Sequence, residues 1–95
     1  MTPLLTLVSI PSRNPTVVSQ RTGSEVVLVL PVQGKVKVLN EVGARMWELC
    51  DGNRHVSQIA AEVCREFAVE PAQAEADAVA FLNELLQRGV LTLVR

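Results

Sequence analysis

As far as Leu39 the chain follows a strand period, and beyond it a helical one. Lys35-Val36-Lys37-Val38 alternates polar with apolar, the pattern of a half-buried strand. Glu25 to Leu30 is β-branched and apolar on both faces, which predicts a central strand. Thr16 to Gln20 predicts a short strand before it. Arg21-Thr22-Gly23-Ser24 and Pro31-Val32-Gln33-Gly34 read as the turns between. Short strands with tight turns predict an antiparallel meander.

Asn40 is a good N-cap, because its side-chain oxygen can accept from a first-turn N–H. Val42, Met46, Leu49 and Cys50 then share one helical face, and Asp51-Gly52-Asn53 stops that helix. The second helix is the clearest. Val56, Ile59, Ala60, Val63, Cys64 and Phe67 form a single apolar stripe. His55 takes its N-cap slot, with Gln58 where a capping-box partner stands. Pro71 opens a third helix that runs to about Arg88, and Gly89 closes it. Val90 to Val94 is an extended apolar tail.

The third helix is apolar over too wide an arc. Ala72, Ala74, Ala78, Val79, Phe81, Leu82, Leu85 and Leu86 cover roughly half its circumference, where capping a small core needs little more than ~100°. Either the helix is buried between elements or one rim faces a groove. On the other arc Asp77, Ala80, Glu84 and Arg88 are neighbours, with Phe81 at their edge. Small Ala76 and Ala80 would let another backbone approach.

Two parts are expected: an apolar arm, residues 1–10, and a folded domain, residues 11–95. Two prolines and an Asn make Pro11 to Pro15 a turn or hinge. The arm is not a secretory signal. It lacks basic residues near Met1, Pro3 interrupts it, and no small-residue cleavage site follows a long apolar run. It is too short to span a membrane, so a cytoplasmic location is expected. It packs as a first strand on the core, or it shields a groove or joins two copies as a homodimer.

Composition narrows the function. With only two Phe and one Trp, the core must be Val, Leu, Ile and Ala. Trp47 lies about 140° from Val42 around its helix. It is either a flank packed under the sheet or arm, or a partly exposed anchor for a partner. The nine Lys and Arg are scattered without a run of three, and net charge is −1, which argues against duplex DNA. Cys50 and Cys64 form no CxxC pair, and one His completes no zinc quartet, so both thiols are expected as small buried hydrophobes. There is no GxSxG, Walker loop or GxGxxG, and no nucleophile pairs with His55. Asp77 and Glu84 share a helical face, where carboxylates are ordinarily solvated. No catalytic residue, metal or cofactor is expected.

Lys35 and Lys37 face solvent in the ordinary reading and guard an edge strand against aggregation. In the sharper reading that edge stays open to pair with a peptide.

The segment Gly34 to Ala44 resembles the strand-to-helix junction of PqqD-like proteins, with Leu39-Asn40 opening the first helix. Trp47-Glu48-Leu49-Cys50-Asp51-Gly52 is similar to the end of that helix, and Val56 to Phe67 to the second. Asp77, Phe81-Leu82, Leu85 and Gly89-Val90-Leu91 match the third. The likeness runs from about Pro11 to Leu93. This chain departs in placing His55 where the family usually has Thr or Ser, and Lys37 where an aromatic often stands.

The resemblance implies an α+β, winged-helix-like fold: a three-stranded antiparallel sheet followed by three helices. It implies a recognition element that binds the leader of a ribosomally made precursor peptide. That leader would add as a fourth strand beside the third and lie against the third helix. The contact residues would be Lys35, Val36, Lys37, Val38 and Leu39, with Ala76, Asp77, Ala80, Phe81 and Glu84. The partner would be a separate modifying enzyme, a radical-SAM enzyme or a leader peptidase. The competing reading is a winged-helix DNA-binding regulator. Its recognition helix should carry outward Arg, Lys, Asn or Gln, whereas the third helix carries Glu75, Asp77 and Glu84 against Arg88. A third reading is a structural subunit or fusion fragment of a larger enzyme.

Overall fold

The computed structural model describes residues 5–30 and 34–94. The elements are β1 (Ile10–Arg13), β2 (Val18–Thr22), β3 (Glu25–Val29), β4 (Val36–Leu39), α1 (Glu41–Leu49), α2 (Val56–Phe67), α3 (Pro71–Gln87) and β5 (Leu91–Val94). The expected meander is an antiparallel sheet ordered β2-β3-β4, and three helices follow it. A second sheet, β1 with β5, was not expected.

The first hairpin turn is tighter than expected. Thr22 pairs with Glu25, so Arg21 and Thr22 belong to β2 and the turn is Gly23-Ser24 alone. Gly23 takes φ 64°, which suits the primed turns whose twist matches a two-residue hairpin. Pro31 to Gln33 of the next expected turn lie outside the described residues.

β3 is central but is buried on one face only. Val26, Leu28 and Leu30 are in the core, while Val29 is 38% exposed. Its register with β4 pairs Val26 with Leu39, Leu28 with Lys37, Val27 with Val38 and Val29 with Val36. Lys37 and Leu39 therefore share the face that the helices cover. Val36 and Val38 face outward, 64% and 54% exposed. This reverses the expected phase: Lys37 does not face solvent as an edge guard, because its cross-strand neighbour Leu28 is a core residue.

The helix signals act as expected. Asn40 Oδ1 accepts from the Gly43 N–H at 2.9 Å and Gln58 Oε1 from the His55 N–H at 2.8 Å. Asn53 N–H donates to Asp51 Oδ1 at 2.9 Å as α1 ends. Trp47 is buried, so it packs rather than waits for a partner. Cys50 is buried too, its thiol donating to the Met46 carbonyl at 3.2 Å, and burial pushes that thiol up to about 12. Cys64 is only half-buried, and both thiols are free.

Pro11 to Pro15 is not a free hinge. Ile10 to Arg13 pairs with Val94 to Leu91, and Pro11, which has no N–H to lose, sits on this short edge. The same stretch satisfies helix ends that would otherwise leave carbonyls orphaned. Arg13 N–H donates to the Cys50 carbonyl and its guanidinium to the Trp47 carbonyl, closing α1. Asn14 bonds the Gly89 and Val90 carbonyls just past α3. Residues before it serve α2: the Leu7 and Ser9 carbonyls accept from the Ser57 and Val56 N–H groups. Leu5 is buried, and Leu7 packs on the same core.

Candidate functional site

A cleft of about 400 Å³ opens between β4, α1 and α3. Leu39, Val42, Met46, Val69 and Phe81 give it an apolar lining, with Lys37 and Asp77 as its charged members. Asn40 places α1 here by capping it beside the end of β4. Phe81 lies against Gly43: a Cβ on Gly43 would come within 3.0 Å of Phe81 Cζ. A glycine inside a helix lowers its stability by about 1 kcal/mol relative to alanine, and this close approach explains it.

The charges are already partly matched. Lys37 Nζ donates to Glu84 Oε1 at 3.1 Å, and Arg88 Nε reaches the same oxygen at 3.3 Å. The hydrogen bond from Lys37 chiefly holds the Glu84 carboxyl below its ordinary range. Among the described residues no cation reaches Asp77; Gln73 donates to its Oδ1 at 2.7 Å. Asp77 is thus the carboxylate the cleft presents, and Glu84 straps α3 to β4 instead.

The open side of β4 presents backbone. Leu30 N–H donates to the Lys35 carbonyl at 2.7 Å, which extends the β3–β4 register by one pair and sets its phase. Antiparallel pairs alternate between residues that bond each other and residues whose N–H and C=O point away. Lys35, Lys37 and Leu39 therefore bond to β3, and Val36 and Val38 aim their N–H and C=O outward. Among the described residues no strand pairs with that side.

The structure brings Lys37, Val38, Leu39, Asp77 and Phe81 together at the cleft, with Glu84 on Lys37. Lys35 and Val36 are exposed along the same strand. Ala76 and Ala80 are exposed on α3 and do not line the cleft. Of the α1 wall, the sequence places Val42 and Met46 on the helix's apolar face and gives Gly43 no role of its own. A glycine in the first turn of α1, where the cap needs none, is the sequence signal that something packs closely there. Among the described residues no His, Cys, Asp or Glu cluster could hold a metal, and no helix is long and apolar enough to cross a membrane. The arrangement offers strand pairing, an apolar floor and one carboxylate, which suits binding an extended peptide.

Known proteins share this fold. The family model for coenzyme PQQ synthesis protein D (PqqD) matches residues 25–91. A PqqA binding protein of Rhodopseudomonas palustris (strain BisB5) is 31% identical over 61 residues, which cover 64% of this chain and 60% of that protein. Among solved structures, TbiB1 in complex with the TbiA(beta) leader peptide superposes with a TM-score of 0.75 at 30% identity, covering 84% of this chain and 93% of TbiB1. The PqqD truncation of Methylobacterium extorquens PqqCD, a stand-alone recognition element for ribosomally synthesized and post-translationally modified peptides, superposes with a TM-score of 0.73 at 26% identity, covering 96% of each chain. The family match spans β3 through the start of β5, the stretch that builds both the cleft and its open strand, and the chain belongs to the PqqD family.

Proposed function

We propose that this chain binds the leader segment of a ribosomally made precursor peptide and presents the peptide to a separate modifying enzyme. The leader adds as a strand beside β4 and lies over the cleft against α3. The enzyme partner is a radical-SAM enzyme or a leader peptidase, and the encounter takes place in the cytoplasm. In this reading the chain performs no chemistry and needs no cofactor.

The single observation that carries the reading is the pairing edge of β4 beside an apolar cleft. Val36 and Val38 offer N–H and C=O groups for main-chain bonds, and the cleft beside them offers side-chain selection. The solved neighbour that holds a leader peptide supports it, as does the relative that binds PqqA.

Titration calorimetry of the full chain with leader peptides of ribosomally made precursors tests the proposal. Saturable binding with one peptide per chain is expected. A gel-shift competition in which one duplex sequence clearly outcompetes random DNA at physiological salt would favour the winged-helix regulator instead. The mixed charges of α3, with Asp77 unmatched, speak against that outcome.

A further inference from the structure

The outer face of the three-stranded sheet carries a patch of five valines that is uncovered among the described residues. Val18, Val29 and Val36 form one cross-strand row, and Val27 and Val38, with Gln20, form the next. Val18, Val36 and Val38 are each more than half exposed. Single exposed valines need no explanation, but a contiguous patch across three strands does. Both rows end on β4, at the residues whose backbone groups point to the open side.

We infer that the peptide is recognised on both faces of its own strand, and that it carries three consecutive apolar residues. This rests on the proposed strand addition at β4. A strand paired there turns alternate side chains to opposite faces. The ligand residue opposite Lys37 points into the cleft. Its two neighbours, opposite Val36 and Val38, lie on the outer face and continue the two valine rows. Side chains directly opposite on one face sit about 4.5–5.5 Å apart and attract when apolar, most of all when β-branched or aromatic. The ligand class is therefore an extended peptide with an inward apolar anchor flanked by two outward β-branched or aromatic residues. An ordinary half-buried strand, polar at every second position, does not fit.

The size of the patch also points to a strand. A stable dimer needs roughly 800 Å² from each partner, and a few half-exposed valines fall well short of that. An added strand needs only the two row ends.

The test selects binders to the full chain from a displayed library of random peptides and measures their affinities by calorimetry. Comparison is with the double substitution Val36→Thr and Val38→Thr, which keeps side-chain shape and strand propensity at exposed positions. Circular dichroism confirms that the variant is folded. The expected result is that selected peptides share a run of three apolar residues. They should bind the double variant about five- to tenfold more weakly. Selected peptides with polar residues at the two outward positions overturn the inference, as does unchanged affinity for the double variant. So does a wild-type dimer in sedimentation that the double variant dissolves, because the face would then belong to a second copy. Binders weakened by Val36→Pro but indifferent to the threonines sink this inference and leave strand addition standing. Binders indifferent to Val36→Pro, or no binders at all, sink strand addition itself.

Discussion

The two sides of this molecule treat unpaired backbone in opposite ways. Around β1 and the residues before it, helix ends and strand groups find partners within the chain. Leu7 and Ser9 serve the start of α2, Arg13 serves the end of α1, and Asn14 binds just past α3. At β4 the reverse holds. Val36 and Val38 direct N–H and C=O to a side where no described strand pairs, over a cleft with an apolar floor. Buried helix ends must be satisfied for the fold to stand. A strand edge next to water tolerates solvation and can exchange it for a ligand. The contrast separates the part of the chain that holds the fold from the part proposed to bind.

The sharpest way to break the contrast is to remove its closed side. Deleting residues 1–9 takes Leu5 and Leu7 from the core and two acceptors from α2. Loss of about 3–5 kcal/mol is expected from burial and hydrogen bonding together. Thermal unfolding should show a large fall in Tm, with weaker peptide binding as a consequence. An unchanged Tm would mean that the segment is a dispensable arm.

A second substitution separates binding from folding on the open side. Gly43→Ala places a methyl at 3.0 Å from the Phe81 ring. The ring can swing toward the cleft, and alanine favours the helix by up to about 1 kcal/mol, so stability should change little. Peptide affinity should fall several-fold, read by calorimetry beside a melting curve. A fall in Tm with unaltered affinity would place Phe81 in the core alone.

Charge gives smaller effects. Asp77→Lys should weaken a ligand with a basic residue opposite α3 by several-fold at most, and more at low salt than at high salt. Equal loss at both salt levels would assign Asp77 to folding through Gln73. The smallest effect belongs to Glu84→Gln, which releases Lys37 and Arg88. The carboxyl of Glu84 is held below its ordinary range, chiefly by the bond from Lys37. Its contribution is therefore present at neutral pH and lost as pH falls through that depressed value. With both side chains partly exposed it should stay under about 1 kcal/mol. Urea titrations should show wild type and variant differing slightly at pH 7 and converging in strong acid.

Much of this was legible in the sequence, because local signals act locally. Asn40, Gln58 and Pro71 mark helix starts by bonding or geometry within a turn, and they sit where expected. The departures that matter most for the site concern long-range pairing. Pro11 to Pro15 reads as a hinge because prolines disfavour ladders, yet β5, about eighty residues on, supplies an antiparallel partner for Pro11 to Arg13. The alternation of Lys35 to Val38 was read in the wrong phase, since polarity suggested solvent for Lys37. Its actual neighbours are core Leu28 and a neutralising Glu84. A single strand does not reveal which face its sheet covers. Nor could the stripe of α1 show that Val42 and Met46 also wall a cleft. Only the lone Gly43 hinted at it.

The measurement that tests the account most directly is peptide titration of Val36→Pro. Because the Val36 N–H points away from β3, proline there leaves the native ladder intact and removes a donor only from the open side. Circular dichroism should match wild type. Affinity for the leader peptide, or for peptides selected on wild type, should fall at least about tenfold once the lost bond and altered edge geometry combine. A folded Val36→Pro protein that binds such peptides as tightly as wild type would contradict strand addition at β4.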